Sequence, residues 1–429
     1  MTPYILAALF AMCSPPGWVD LFNGRDLTGW TIVNGAPSTW TVRDDMIVCS
    51  GVPTGVLRTN RMYENFVLEL EWKHVVEGGN AGLFIWSDPV TAKGVPFTRS
   101  IEVQVMDKWE TPNYTSDGDI FSIHGATMTP DRPHPGGWAR SLPSKKRSKP
   151  SPEWNHYVLT CVDGSIKLAV NGEFVSGGHS MSPRKGYICL EAEGSEAHFR
   201  NLRIMELPPS ATPLPPQDIA EVDAGFVSIY NGVDLTGWVT GEETADHWVV
   251  ADWRLEHDGR GGDLWTQASF GDFEMIVDWR WTGESVSTAR PVIELDGTPK
   301  VGESGEPVMV EVPDAGDSGI YLRGSSKSQV NAWCWPIGSG EVYGYRTDAS
   351  MAPSVVAGVT PSSRADAPIG SWNRFLIRMV GDELCVDLNG VRVIDRAVLP
   401  GVAEVGPIGL QSHGSPIEFA NIYVRPIDR

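Results

Sequence analysis

The sequence is poor in cysteine and in positive charge, and each shortage excludes a class of protein. Cysteine accounts for 6 of the 429 residues. No CxxC pair or Cys/His ligand spacing occurs, so neither a disulfide framework nor structural zinc is predicted. Lysine and arginine number 34 against 54 aspartates and glutamates, which gives a net charge of −20. Because nucleic acids and anionic membranes are bound through basic side chains, we expect neither as a partner.

Apolar segments long enough to cross a bilayer are also missing. The run at the N-terminus, Pro3–Cys13 (PYILAALFAMC), has the length of an export signal but is too short to span a membrane. It lacks a positively charged start, and Met12 occupies a position where a lipoprotein signal needs a small residue. We therefore expect an abbreviated export signal within residues 1–16, a periplasmic or extracellular protein, and no lipid anchor at Cys13.

Sustained helical periodicity is absent, and the pattern of β-strands takes its place. The segments 65–74 (NFVLELEWKH) and 272–281 (DFEMIVDWRW) alternate apolar and polar residues, as half-buried strands do. Segment 157–172 contains two such runs around Asp163-Gly164, a hairpin signal, and the second half of the chain has its counterpart at Gly381-Asp382. Many short strands of this kind predict an all-β protein of the sandwich or jelly-roll type.

The chain also repeats itself. The segment WVDLFNGRDLTGW at 18–30 returns as FVSIYNGVDLTGW at 226–238, and two further blocks recur in the same order. Between the copies lies a Pro-rich stretch, which predicts a spacer that holds the domains semi-rigidly apart. The predicted organisation is domain one at 17–207, a linker at 208–224 and domain two at 225–429.

Three motifs together resemble the bacterial 3-keto-disaccharide hydrolase domain family: LFNGRDLTGW, the WN…NG hairpin, and the closing segment GYICLEAEGSEAHFRNLRI at 186–204. The resemblance covers nearly all of both repeats. It implies a concanavalin A-like lectin/glucanase jelly roll in each domain and sugars as ligands. It also implies a reaction in which a glycoside oxidised to a ketone at C3 loses its C2 proton to a base and then its aglycone from C1. An upstream sugar oxidoreductase would supply the ketone; no cofactor is predicted, and no residue spacing supports a divalent cation.

The two copies depart from the family pattern at different positions. Strand alternation turns Val103 and Val105 toward the core and their polar neighbours toward the ligand face. On that face domain two has neutral amides, which can bind a sugar hydroxyl but cannot take a proton, so domain one is the better candidate for catalysis. The corresponding pairs, domain one first, are Trp86 and Arg323, Glu102 and Gln329, Gln104 and Asn331, Glu191 and Gln411, and Glu193 and His413.

The implied reaction needs a base, an acid and a group that stabilises an enolate. In domain one Glu102 is the candidate base, and Asp119 or His124 is the candidate acid. An exposed Glu on a strand, or a His after a Gly-rich turn, is equally compatible with a solvated side chain. The candidate substrate-binding residues are Asn80, Gln104, Trp109, Arg323, Gln329, Asn331 and Trp333, with Arg323 suited to the enolate and Trp138 and Trp335 as further stacking candidates.

Two alternatives remain open at this stage. The protein could bind sugars without cleaving them, since neither copy keeps the whole family pattern and a jelly roll serves lectins as readily as enzymes. A composite site could instead unite Glu102 with Arg323 across the two domains. The acidic segment Thr282–Gly316 is long enough to act as a closing loop or a contact with the other domain, and its acidic residues lack the spacing of a known calcium loop.

Overall fold

The computed structural model describes residues 17–107 and 118–428. The predicted export signal and Trp109 therefore lie outside the described residues. The prediction of an all-β chain made of two tandem jelly-roll sandwiches is confirmed, because antiparallel sheets build both halves. None of the helices in the described range is long and apolar enough to cross a bilayer.

Domain one consists of a back sheet and a front sheet. The back sheet has the strand order β10-β14-β13-β12-β6-β16-β4-β3, with β1 beside β16, and the front sheet has the order β11-β9-β8-β7-β15-β5-β2. In chain order, strands β1 to β16 are Val19–Asp20, Trp30–Ile32, Trp40–Arg43, Met46–Cys49, Gly55–Thr59, Phe66–His74, Asn80–Ser87, Ser100–Met106, Ile120–Ile123, Thr127–Pro130, Arg140–Ser141, Asn155–Val162, Ser165–Val170, Glu173–Ser182, Tyr187–Ala192 and Ala197–Glu206.

Domain two repeats this plan. Its back sheet has the order β19-β20-β31-β22-β27-β28-β29, with β17 beside β31, and its front sheet has the order β18-β21-β30-β25-β26. Two short helices, α1 (Tyr343–Arg346) and α2 (Pro353–Gly358), lie between β26 and β27. In chain order, strands β17 to β31 are Val227–Ser228, Trp238–Val239, Trp248–Ala251, Arg254–His257, Leu264–Thr266, Phe273–Trp281, Val286–Pro291, Met309–Asp314, Asp317–Leu322, Ser325–Trp333, Asn373–Val380, Glu383–Leu388, Val391–Val398, Gly409–Leu410 and Ile417–Pro426.

The alternation seen in the sequence sets which side chains fill each core. In β6, Leu68 and Leu70 are buried between the sheets of domain one, while Glu69 and Glu71 face outward. The predicted hairpin is confirmed: β12 and β13 pair around Asp163 and Gly164, whose φ angles of 47° and 71° are those that a tight hairpin turn requires.

The acidic segment Thr282–Gly316 contains a β-hairpin that the sequence pattern did not predict. Strands β23 and β24 pair antiparallel along their whole length, from Val286 opposite Asp314 to Pro291 opposite Met309. Arg290 Nε donates a 2.8 Å hydrogen bond to Asp314 Oδ2 across the two strands. Most of these side chains are exposed, so the hairpin lacks the apolar alternation by which strands are recognised in a sequence.

The two domains are in direct contact, so the prediction that the spacer holds them apart is wrong. Residues 88–98, between β7 and β8, lie against the back sheet of domain two. Gly94 N donates to Asp278 Oδ2 at 2.8 Å, and Asn421 Nδ2 donates to the carbonyl oxygens of Ala92 and Val95 at 3.1 and 3.0 Å. Alongside, an apolar cluster joins front-sheet side chains of domain one to the back sheet of domain two: Val33, Val56, Phe84 and Cys189 with Ile276 and Tyr423.

The linker follows the surface of domain one instead of bridging a gap. Ala220 N donates to Lys185 O at 2.7 Å, and the buried Arg58 forms an ion pair with Asp223. The prolines restrict the backbone conformation of the linker, but hydrogen bonds with domain one determine where the linker lies. A Pro-rich composition therefore did not give a spacer between the domains.

Gly94 is the tightest point of the interface and offers a test of it. Its φ is +70°, and a Cβ there would lie 2.3 Å from Trp372 Cδ1. We expect Gly94→Ala to lower the free energy of unfolding by about 3 kcal/mol, from backbone strain and overpacking together. Chemical denaturation followed by fluorescence measures this loss.

Gly78→Ala is the matched control. Gly78 has a φ of +77°, and a Cβ there would meet no atom of the described residues within 4 Å. Gly78→Ala introduces the backbone strain without the clash, so it should lower the free energy of unfolding by only about 1 kcal/mol. Equal losses in the two variants would show that the contact with Trp372 does not hold the domains together.

Candidate functional site

The front sheet of domain one carries a polar face opposite the core. Val103 and Val105 of β8 are fully buried between the sheets, so Glu102 and Gln104 lie on the other face, as predicted from strand alternation. On the neighbouring strand β7, Phe84 is paired with Glu102 and Gly82 with Gln104. The predicted base thus lies beside the part of the sheet that domain two covers.

Two glutamates converge over Gly82. A Cβ at this position would lie 2.5 Å from Glu191 Oε2 and 3.0 Å from Glu102 Oε1, so only glycine leaves room for both carboxyl groups. Glu102 is 6% exposed and Glu191 is 1% exposed. Within the described part of the chain, Glu191 Oε2 has no hydrogen-bond partner. A buried carboxyl oxygen of this kind is available to a ligand or a proton.

Burial and mutual repulsion favour the protonated forms of these groups. Burial, with the nearby Glu193 carboxylate, raises the pKa of Glu102 to about 8, and the positive charge of Arg140 opposes this rise. Burial, with the charges of Glu102 and Glu193, raises the pKa of Glu191 well above its usual range. Both carboxyl groups therefore favour the protonated form at neutral pH.

Amide side chains form the rim of this cluster. Gln104 Nε2 donates to Asn80 Oδ1 at 2.8 Å, and Asn80 Nδ2 in turn donates to Glu193 Oε2. Asn80 and Glu193 are both half-buried. Hydrogen bonds thus connect the predicted residues Asn80 and Gln104 to Glu193, whose charge acts on Glu102.

Asp119 lies in the same face but is ion-paired. It is fully buried, and Arg140 Nη1 donates to Asp119 Oδ2 at 2.8 Å. The backbone places it beside Gln104, whose N–H donates to Asp119 O at 2.9 Å. Arg140 also lies over the ring of Phe121, 3.8 Å from its centroid. The geometry therefore makes Asp119 the residue that positions Arg140, a role different from that of the candidate acid.

The remaining candidates of domain one do not join the cluster. His124 is exposed and follows the end of β9, and its ring stacks on Phe97 with centroids 6.1 Å apart. Trp138 is 47% exposed and stacks on His134 at 4.5 Å. Among the described residues, no three or more His, Cys, Asp or Glu side chains are placed to hold a metal ion.

In domain two the same register brings neutral groups together. Tyr321 is paired with Gln329 and Gly319 with Asn331, just as Phe84 and Gly82 pair in domain one. Gln329 Nε2 donates to Gln411 Oε1, where domain one has its two carboxyl groups. Trp333 is buried, stacked on Trp335 at 4.3 Å, so it offers no exposed ring.

Arg323 lies outside this face and has a structural environment. Its Nε donates to Gly271 O at 2.8 Å and its Nη1 to Gly381 O at 2.6 Å, and its Nη2 forms an ion pair with Asp272 at 3.0 Å. In domain one Trp86 occupies the corresponding position and makes the corresponding hydrogen bond, from Nε1 to Glu64 O at 2.9 Å. All these partners of Arg323 belong to domain two, so the structure does not unite it with Glu102.

Comparison with known proteins places both halves of the chain in one group. A family described as the 3-keto-alpha-glucoside-1,2-lyase-like domain matches residues 17–205 and again 225–425. The chain is 24% identical over 241 residues to a 3-keto-disaccharide hydrolase of Bacteroides thetaiotaomicron, a match that covers 44% of this chain and 79% of that protein.

Solved structures give matches of one domain's length. A protein from Parabacteroides distasonis, assigned as a glycosyl hydrolase, is 25% identical with a TM-score of 0.36, over 45% of this chain and 94% of that one. A carbohydrate-binding module from Bacillus subtilis is 16% identical with a TM-score of 0.31, over 42% of this chain and 96% of that one.

Proposed function

Because the chain belongs to the family of 3-keto-alpha-glucoside-1,2-lyase-like domains, we propose that domain one cleaves 3-keto-glycosides by elimination. The observation that carries the proposal is the convergence of Glu102 and Glu191 over Gly82. Elimination across C1 and C2 needs one group that takes a proton and one that gives a proton, close together. Two carboxyl groups, one ionised and one protonated, supply both roles.

We base the two roles on the surroundings of the carboxyl groups. Burial raises the pKa of Glu102 to about 8, but the positive charge of Arg140 favours its ionised form, so its carboxylate is the base that removes the C2 proton. Burial and the charges of Glu102 and Glu193 raise the pKa of Glu191 well above its usual range, so Glu191 keeps its proton and gives it to the leaving C1 oxygen. Removal of the C2 proton gives the enolate of the C3 ketone, and departure of the aglycone from C1 forms the C1–C2 double bond, regenerates the ketone and completes the elimination. Addition of water to the C1–C2 double bond would make the net reaction a hydrolysis.

Arg140 replaces Arg323 as the proposed enolate-stabilising group. Its positive charge opposes the rise in the pKa of Glu102. The field of Arg140 therefore reaches the position beside Glu102 where the negative charge of the enolate develops. The ion pair with Asp119 holds the guanidinium in place. The amides of Asn80 and Gln104 would orient the sugar hydroxyls at the rim.

The proposal includes a setting for the reaction. A sugar oxidoreductase acting earlier would supply the C3 ketone, since the proposed steps begin from a glycoside that is already oxidised. Export to the periplasm or the cell exterior, predicted from Pro3–Cys13, would place the protein where glycosides are taken up.

The pH dependence of the reaction tests the proposed base. We expect kcat/KM for release of 4-nitrophenol from a 3-keto-4-nitrophenyl glucoside to rise with pH, with an apparent pKa near 8, because Glu102 must be ionised. Full activity at pH 5 would contradict this role. Binding of the substrate without release at any pH would favour the lectin-like alternative.

The leaving group tests the proposed acid. Glu191→Gln should slow cleavage of a 3-keto-disaccharide by more than about 100-fold, since a sugar alkoxide needs a proton to leave. Nitrophenol leaves readily without one, so its release should slow by less than about tenfold. Glu69→Gln, on the back sheet of the same domain, is the control and should leave both rates unchanged. Equal losses for the two substrates in Glu191→Gln would exclude the acid role.

A further inference from the structure

The front face of domain two differs from that of domain one in charge. The register aligns Gln329 with Glu102 and Gln411 with Glu191. Gly319 lies under the two amides as Gly82 lies under the two carboxyl groups, and a Cβ at Gly319 would be 2.4 Å from Gln329 Nε2. Both domains thus have a glycine that leaves space on this face. Domain two has amides where domain one has the two carboxyl groups proposed to transfer protons.

One polar atom of this face lacks a partner. Asn331 is 3% exposed, and its Oδ1 has no hydrogen-bond partner among the residues that the structure describes. Gln329 and Gln411, 8% and 9% exposed, point at each other through a single side-chain hydrogen bond. Buried amide oxygens without donors are uncommon in folded proteins, and a ligand hydroxyl would satisfy this one.

An aromatic pair borders the amides. Trp265 and Tyr321 stack nearly parallel, with centroids 5.2 Å apart and a 14° angle between the rings. Gly409, between their strands, makes this arrangement fit: a Cβ there would be 2.8 Å from Trp265 Cε3. Trp265 is half-buried, so part of its surface faces solvent. In domain one the residues in register with this pair are Arg58 and Phe84, and Phe84 lies beneath domain two.

Carboxylates complete the edge of the face. Asp263 accepts a 2.9 Å hydrogen bond from Ser412 N, and Asp317 lies 3.7 Å from the imidazole of His413. A cleft of about 520 Å³ opens beside Asp317 and is also lined by His413 and Arg290. The face therefore offers acceptors, donors and an apolar ring side by side. This combination matches a sugar ring, whose hydroxyls donate and accept and whose C–H surface is apolar.

We propose that the front face of domain two is a second, non-catalytic binding site for an uncharged sugar, held by Gln329, Asn331 and Gln411 and bordered by Trp265. The proposal depends on the proposed function of domain one only for the class of ligand. None of the three amides can accept a proton from C2, so a glycoside bound here is not cleaved. Hydrogen bonds from amides to sugar hydroxyls do not require a ketone at C3, so the site binds glycosides whether or not C3 has been oxidised. It would keep unoxidised or product glycan bound beside the catalytic domain.

Calorimetric titration of the full-length protein with maltose and with cellobiose tests the site. We use Glu102→Gln protein so that turnover does not contribute, and expect binding of at least one sugar with a dissociation constant in the range of about 1 mM. Asn331→Ala in that background should weaken the affinity about tenfold, the effect of losing one well-placed hydrogen bond in a desolvated site. Gln411→Ala should do the same, which keeps the test valid if the first variant fails to fold.

The outcomes separate this proposal from the function of domain one. Absence of binding up to about 50 mM of either sugar would overturn it, and so would affinity that both amide variants retain. Release of aglycone from a 3-keto-glycoside is measured in parallel on the wild-type protein. A protein that releases aglycone but binds neither sugar would refute only the second site, and a protein that binds sugar without release would refute only the catalytic proposal.

Discussion

Replacing Glu102 with glutamine should abolish aglycone release and at the same time make the protein more stable at neutral pH. Loss of a general base costs about 100-fold to 10,000-fold in rate, and glutamine keeps the size of the side chain while removing its ability to take the C2 proton. Release from a 3-keto-glycoside by Glu102→Gln should therefore fall to less than about 1% of the wild-type rate.

The gain in stability follows from the pKa of the buried carboxyl group. Glu102 has a pKa of about 8 in the folded chain against an ordinary value of 4.5. Between these values the unfolded chain releases its proton while the folded chain holds it, so the stability of the wild-type protein falls as pH rises through this window. Glutamine has no such dependence. We expect Glu102→Gln to raise the free energy of unfolding by about 3 kcal/mol at pH 7 and by less than about 1 kcal/mol at pH 5.

Urea denaturation at pH 5, 6, 7 and 8 measures the difference. Glu69→Gln, a substitution of the same kind on the back sheet, is the control; Glu69 is ion-paired with Arg203 and its pKa lies below its usual range. Glu69→Gln should not become more stable than the wild-type protein as the pH rises. A Glu102→Gln variant that loses activity but is no more stable at pH 7 than the wild type would show that the carboxyl group is ionised and solvated in the folded protein, and would remove the physical basis of its role.

Replacing Arg323 with alanine should destabilise domain two by about 3–5 kcal/mol and leave the chemistry of domain one intact. The guanidinium is 1% exposed and binds the carbonyl oxygens of Gly271, Gly381 and Ala403. Removing it leaves these acceptors and the Asp272 carboxylate buried without their donor, the situation in which loss of one partner is most costly.

Thermal or denaturant unfolding of Arg323→Ala, with aglycone release measured below its transition, tests this role. Arg396→Ala is the matched control, because Arg396 is in the same domain but 71% exposed and paired only at the surface with Glu383; it should cost less than about 1 kcal/mol. A folded, stable Arg323→Ala protein that has lost activity would restore the enolate role for Arg323 and the composite site.

Much of the fold follows from local patterns in the sequence. Strand alternation placed Val103 and Val105 in the core and Glu102 opposite them, and the two glycine turns marked the hairpins. These features depend on neighbouring residues along one or two strands. The β23–β24 hairpin has mostly exposed side chains, and the position of the linker depends on contacts with a folded domain, so local patterns did not predict either.

The same distinction explains the site. Glu102, Gln104 and Asn80 were found because they lie on motif strands of known parity. The sequence marked Glu191 and Glu193 as positions where the domains differ, since domain two has Gln411 and His413 there. Their role in the candidate site could not be predicted, because it depends on the closeness of β15 to β8 across Gly82. Arg140 carried no signal in the sequence: it lies on a two-residue strand, and its ion pair with Asp119 is visible only in the structure.

The two domains contact each other through different faces, and this asymmetry determines whether the contact can be repeated. The front of one copy packs on the back of the next, a heterologous contact that in principle extends into an open filament. The back of domain two meets its neighbour with Ile276 and Tyr423, but in domain one the residues in the same register are Glu69 and Arg203. Charges at this position oppose the same apolar contact on the back of domain one. End-to-end association of separate molecules, with the front of domain two on the back of domain one, is thereby disfavoured.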